Sequence, residues 1–220
     1  MTSLVLASAS PARRRLLAAA GLEPSIVVSS VDEAAVTAAA LETYGELVAE
    51  DVALVLARAK AEDVADQIDD AIIIGCDSVL DLDGAIHGKP SSAAEAISRW
   101  RQMSGRSGIL HTGHWVVDTR EEARGGTGAT LGATASTTVH FAKLSDEEIE
   151  AYVETGEPLR VAGAFTLDGL GGPYVTGIEG DPSNVVGISL PLLRELLMEV
   201  GLTWHDLRST AHRGAQGERG

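Results

Sequence analysis

The run "AIIIGC", Ala71–Cys76, most narrows what this chain can fold into. Six small or β-branched apolar residues, bounded by Asp69-Asp70 and Asp77, read as a buried strand, being too short for a core helix. Other runs of this kind, Leu4–Ala7, Ser25–Ser29, Gly108–Thr119 and Ala133–Phe141, alternate with longer helical patterns. That alternation favours an α/β architecture over segregated layers. Pro11–Ala20 has proline in its first turn and Gly21 at its stop. Glu46–Ile68 carries Leu47, Val48, Val52, Val55, Leu56 and Ala59 at three- and four-residue spacing and predicts a long amphipathic helix. After Ala71–Cys76 come a second extended piece and an Asp83-Gly84 turn. A helix over Ser92–Met103 follows, stopped by Gly105. Ser145 and Glu148 form a capping-box pattern, a strand lies near Pro173–Ile178, and a last helix runs from Pro191 to Val200.

With 220 residues and 45% hydrophobic content, the chain can bury a proper core. We expect one folded unit over residues 1–207 and a polar, disordered tail over 208–220. Lys and Arg number 17 against 32 Asp and Glu, a net charge of −15. Such a chain is repelled at long range by polymeric nucleic acid and by anionic membranes. No apolar run is long enough to span a bilayer, and the start lacks a secretory pattern, so a cytoplasmic protein is expected. The single cysteine, Cys76, fits a reducing compartment.

Against that acidity, "LVLASASPARRRLLAAAGLEP" places three arginines at a strand-to-helix junction. Free backbone N–H groups, serine hydroxyls and the positive end of a helix dipole converge there, which suits an anion. Arginines in the first turn add forked donors for phosphate oxygens. Adjacent side chains point about 100° apart, so at most two of Arg13, Arg14 and Arg15 can face one pocket. Two readings stand side by side: a phosphate site, or a capped helix with a solvated basic face.

Other groups decide between them. Asp77 follows the apolar run and should emerge where the strand leaves the core, placed to accept a proton or a divalent cation. Lys89 sits in "HGKP" beyond the next extended piece. Lys60, in "LARAKA", lies among small residues that let another element approach closely. Glu33 follows the second strand. Ser8, Arg13, Glu33, Lys60, Asp77 and Lys89 together offer the chemistry that a nucleoside triphosphate and Mg²⁺ require.

The stretches "LASASPARRRLL", "VDE", "LARAKA", "IIIGCDSV", "GKP", "LSDEEIEAYVETGEPLRVAGAFTLDGLGG" and "GDPSNVVGISLPLL" resemble the Maf family of nucleoside triphosphate pyrophosphatases, from about Leu4 to Gly201. The resemblance implies an elongated α/β fold around a mixed twisted sheet, inosine triphosphatase-like, with a cleft between two lobes and often dimeric. It implies hydrolysis of a nucleoside triphosphate at the α-phosphate, and an association with removal of modified nucleotides and with arrest of cell division. Asp77 matches the family's catalytic acid/base position. Ser8, Arg13, Lys60 and Lys89 match phosphate-site positions, and Glu33 with Asp77 would hold Mg²⁺ or Mn²⁺. A nucleotide-binding regulator of cell division without turnover is the alternative.

The chain departs from the family pattern at Ala12, Ser78 and Asp168, the positions tied to the base, and in the insert around Arg120–Gly132. That insert, "REEARGGTGATLG", reads as a mobile hairpin connection. An ionised Asp168 can only accept hydrogen bonds, so activity spread over several triphosphates is expected, with no strong preference for uridine or thymidine. His111 and His114 would point to opposite faces of a strand, which is poor for one metal. Cys76 turns toward the core and away from Asp77. "DGAIHGKP" lacks the spacing of a phosphate-binding Walker loop.

Overall fold

A computed structural model describes residues 2–208. Seven strands form one sheet: β1 (Ser3–Ala7), β2 (Ser25–Ile26), β3 (Ala71–Leu82), β4 (Ala85–His87), β5 (Ser107–Asp118), β6 (Thr130–Phe141) and β7 (Val175–Glu179). Eight α-helices accompany them among the described residues: α1 (Pro11–Ala19), α2 (Glu33–Tyr44), α3 (Ala49–Ala65), α4 (Ala93–Met103), α5 (Asp146–Glu154), α6 (Pro182–Val186), α7 (Leu190–Glu199) and α8 (Trp204–Leu207). The strand order is β2-β1-β3-β5-β6-β7, with β4 paired separately to β3. β1 runs parallel to β2 and β3, and the remaining pairs are antiparallel. This is the α/β architecture that the alternation of patterns implied, on the mixed sheet that the family resemblance implied.

The strand grown from "AIIIGC" is longer than its apolar run. β3 pairs with β5 from Ile72 to Asp81. Along its other edge it pairs with β1 only over Ala71–Gly75 and with β4 only over Leu80–Leu82. Residues 76–79 therefore have no strand neighbour on that side, and a gap opens in the middle of the sheet edge.

The two faces of β3 carry different cores, as strand alternation requires. Ile73, Val79 and Gly75 face α3. Ile73 joins Val5 and Val64, and Val79 joins Val52 and Leu56. On the opposite face Ile72, Ile74 and Cys76 pack with Leu17, Leu193 and Leu197 of α1 and α7. Leu80 and Leu82 pack with Trp100, Phe141 and Tyr152, around α4 and α5. Ser78 falls between these two cores, at the level of the gap.

Several expected boundaries shift. The second strand stops at Ile26, and α2 arises where no helix is expected. Asp32 caps it by accepting from the N–H groups of Ala34 and Ala35, but its apolar residues lack a clear stripe. The capping box of Ser145 and Glu148 is present on α5. The connection after β5 is tied down rather than loose. Asp118 accepts from the backbone and guanidinium of Arg120 and from the N–H and hydroxyl of Thr127. Those donors hold its carboxyl well below the usual range against the opposing effect of burial. The expected tail, beyond Arg208, lies outside the described residues.

Candidate active site

The gap in the β3 edge opens into a cleft of about 730 Å³, within the range of small-molecule sites. One wall is the end of β1 and the start of α1; the other is the segment 155–170 with the Gly88-Lys89 turn. The cleft wraps round the open edge and reaches both faces of β3.

Asp77 does not sit at a strand end as expected. It lies mid-strand in β3, mostly buried, and it still lines the cleft because β1 stops at Ala7 and leaves the edge uncovered. Its side chain points to the α3 face. α3 comes unusually close there: a Cβ on Gly75 would lie 2.2 Å from the Ala57 carbonyl, and one on Gly113 2.2 Å from that of Ala53. Ala53, the alanines of "LARAKA" and these two glycines let helix and sheet approach, as the small residues around Lys60 suggested. Lys60 projects from α3 into the gap, where its ammonium donates to Asp77 Oδ1 and pairs with Glu33 Oε1 at 2.7 Å. Glu33, the first residue of α2, is half exposed. Burial raises its carboxyl, but the hydrogen bond and charge of Lys60, with the charges of Lys89 and Arg13, bring it below its ordinary value.

Arg13 is where the sequence pointed, yet most of its donors are already used. Its Nε donates to the Gly187 carbonyl at 2.9 Å, one terminal nitrogen donates to the Cys76 carbonyl at 2.7 Å and to Ser8 Oγ at 3.2 Å, and the other donates to Ser78 Oγ at 2.9 Å. The guanidinium fills the sheet gap on the side facing away from Asp77. Ser8 Oγ also accepts from the Ser10 N–H at 3.2 Å. With its lone pairs so engaged, the Ser8 hydroxyl hydrogen is left to donate into the cleft.

The base positions separate. Ala12, Ser78 and Asp168 all line the cleft. Ser78 is bonded to Arg13 and to Thr112 Oγ1 at 2.9 Å, whereas Asp168 Oδ2 accepts from Arg15 at 3.3 Å across the mouth. Arg14 is exposed, and Arg15 lines the cleft wall. Lys89 is exposed at the rim and has no hydrogen-bonded partner among the described residues.

Reading the sequence left open whether Arg14 or Arg15 would join Arg13, and it missed Arg160 and Glu157 as cleft residues. Glu157 organises the wall: it accepts from Tyr152 Oη, Thr166 Oγ1 and the N–H groups of Leu170 and Gly171. The only trace of this in the sequence is an acid next to a glycine-rich stretch. Arg13, Arg15, Lys60, Lys89 and Arg160 make the cleft rich in cations on a strongly acidic protein.

The remaining candidates are occupied structurally. His111 Nδ1 is 2.9 Å from Ser136 Oγ. His114 Nδ1 meets the Thr112 carbonyl and its Nε2 accepts from the Ser189 N–H at 2.8 Å. Burial pushes the Cys76 thiol up to about 11. Among the described residues no cluster of three or more His, Cys, Asp or Glu could hold a metal. Glu33 and Asp77 are the two carboxylates brought together there, both paired to the Lys60 ammonium.

The family model described as "Maf-like protein" matches residues 3–200. A relative from Salinispora tropica, named nucleoside triphosphate pyrophosphatase, is 55% identical over 204 residues, covering 90% of this chain and 84% of its own. Proteins of the same name from Streptomyces coelicolor, 56% identical over 90% of both chains, and from Rhodococcus opacus, 51% identical over 97% of this chain and 100% of its own, match as well. An extensive match to the family model, with relatives of this identity along nearly the full length, shows that the chain belongs to the Maf-like family.

Proposed function

We propose that this chain is a nucleoside triphosphate pyrophosphatase, hydrolysing its substrate between the α- and β-phosphorus to a monophosphate and pyrophosphate. One observation carries the reading: a carboxylate, Asp77, stands in the open sheet edge beside Lys60, facing a cleft lined with cations. Asp77 orients water and takes its proton as the oxygen attacks phosphorus. Lys60, Lys89 and Arg160 balance the charge that builds on the departing pyrophosphate. Ser8 and the start of α1 hold phosphate oxygens. Arg13 acts from behind, fixing Ser8, Ser78 and the β3 backbone around the gap. Glu33 and Asp77 would hold Mg²⁺ or Mn²⁺, which when bound withdraws charge from the phosphates.

The base sits toward Ala12 and the Arg15–Asp168 pair, a subsite with both donor and acceptor, consistent with several bases or modified ones. The net charge keeps polymeric nucleic acid from being the partner, and among the described residues no helix is long and apolar enough to cross a membrane. A cytoplasmic setting, where free nucleotides are found, belongs to this reading. The test is incubation of the purified protein with a panel of triphosphates and Mg²⁺ or Mn²⁺, resolving pyrophosphate from orthophosphate. Pyrophosphate with a matching monophosphate supports the proposal. Tight nucleotide binding with neither product would leave the regulator reading instead.

A further inference from the structure

Behind the Lys89 turn lies a buried charge that the chemistry above does not use. Arg99, on α4, is 4% exposed. One terminal nitrogen donates to the Gly88 carbonyl at 2.6 Å and the other to Glu95 Oε1 at 2.7 Å. Its Nε is buried with no hydrogen-bond partner among the described residues. Burial lowers its pKa, with Glu95 opposing. For stability alone this is a poor arrangement. An unbranched apolar side chain beside Trp100 would fill the same space without desolvating a guanidinium or orphaning a donor.

What the charge does achieve is a closed clamp around Lys89. The Gly88 oxygen accepts from Arg99 and also from the Gly163 N–H at 3.2 Å. Glu95, paired to Arg99 through Oε1, uses Oε2 to accept from the Ser91 N–H at 2.8 Å and the Ser91 hydroxyl at 2.6 Å. The residues on both sides of Lys89-Pro90 are thus tied to one ion pair. Pro90 restricts the backbone of Lys89 as well as its own. An exposed, flexible lysine is thereby carried on a turn with little freedom, and its charge still reaches Glu33 across the cleft. The neighbouring 155–170 segment keeps its own support from Glu157, so the clamp acts mainly on Lys89.

We propose that Arg99, with Glu95, is a positioning residue: it fixes the Gly88–Ser91 turn so that Lys89 is held ready for the phosphates of the substrate. This rests on the reading of Lys89 as a phosphate contact. The test is a double-mutant cycle on kcat/KM for pyrophosphate release, using wild type, Lys89→Ala, Arg99→Met and the double variant, with thermal midpoints for each. Lys89→Ala and Arg99→Met should each lower kcat/KM by about tenfold or more, the scale of a displaced binding group. The double variant should fall no more than about twofold below Lys89→Ala, because Arg99 acts through Lys89. Arg99→Met should keep or raise the midpoint while losing activity, which a purely structural arginine would not do. Arg99→Lys should recover part of the loss, since an ammonium can still donate to Gly88. Glu95→Ala repeats the cycle from the exposed side of the pair if Arg99→Met does not fold. Equal losses in the wild-type and Lys89→Ala backgrounds, or an Arg99→Met rate within about twofold of wild type, would overturn the inference alone. A silent Lys89→Ala would instead remove the phosphate role of Lys89, and the inference with it.

Discussion

Arg13, Arg14 and Arg15 are adjacent in sequence and have three different fates. Arg13 is buried and donates to two carbonyls and two hydroxyls. Arg13→Ala would leave the Cys76 and Gly187 oxygens unpaired, so it should cost about 2–4 kcal/mol of stability as well as activity. Denaturant unfolding alongside kinetics separates it from a pure phosphate ligand, which would lose activity alone. Arg14→Ala should leave kcat/KM within about twofold of wild type, as a solvated surface charge does. Arg15→Ala should change base discrimination. Without Arg15, Asp168 meets the base as an acceptor only, so kcat/KM for UTP should fall relative to GTP by about tenfold or more, the scale of one lost charge-assisted hydrogen bond. An unchanged ratio would show that the pair does not face the base. The periodicity of a helix foretells that the three arginines diverge. It does not foretell that the buried one serves the fold, because its acceptors are backbone carbonyls contributed by residues 76 and 187.

At the scale of elements, the distance between α3 and the sheet sets the site. Gly75 and Gly113 allow the helix to lie against β3 and β5, which puts Lys60 beside Asp77. Gly75→Ala forces a methyl group against the Ala57 carbonyl, so α3 must move. The variant should lose about 1–3 kcal/mol of stability and at least tenfold in kcat, since a shift near 1 Å misplaces a catalytic group. A folded Gly75→Ala protein with wild-type kcat would separate Lys60 from the chemistry. Much of this element-scale picture is legible in the sequence: β1, α1, α3, α4, β5 and the capping box of α5 follow from period, caps and stops. α2 is not, because an alanine-rich helix with only Ala40 buried shows no apolar stripe. Nor is the length of β3 legible, because Asp77 and Ser78 interrupt its apolar run just where the uncovered edge tolerates polar side chains.

For the whole molecule, the cleft exists because two cores meet on one face of β3 and leave Ser78 between them. His114 helps to hold that junction. Burial first, opposed by its bond to the Thr112 carbonyl and aided by the charge of Arg13, lowers its pKa to about 4, and its neutral Nε2 accepts from the Ser189 N–H. The folded value lies below the ordinary one, so the unfolded chain binds the proton more readily. The stabilisation is present above about pH 6.5 and lost as pH falls toward 4, up to about 3 kcal/mol. Urea midpoints between pH 7 and 4 should show this slope in the wild type and a flatter one in His114→Gln. The membership of these two cores, and the gap they frame, depend on contacts far apart in the chain, which no local pattern encodes. What the molecule does with that gap rests on Asp77. The direct measurement is the initial rate of pyrophosphate release by wild type and Asp77→Asn, with nucleotide affinity measured on both. The amide keeps the shape but cannot take a proton, so release should fall by about 10² or more while affinity changes little. Pyrophosphate release by Asp77→Asn close to the wild-type rate would contradict the account.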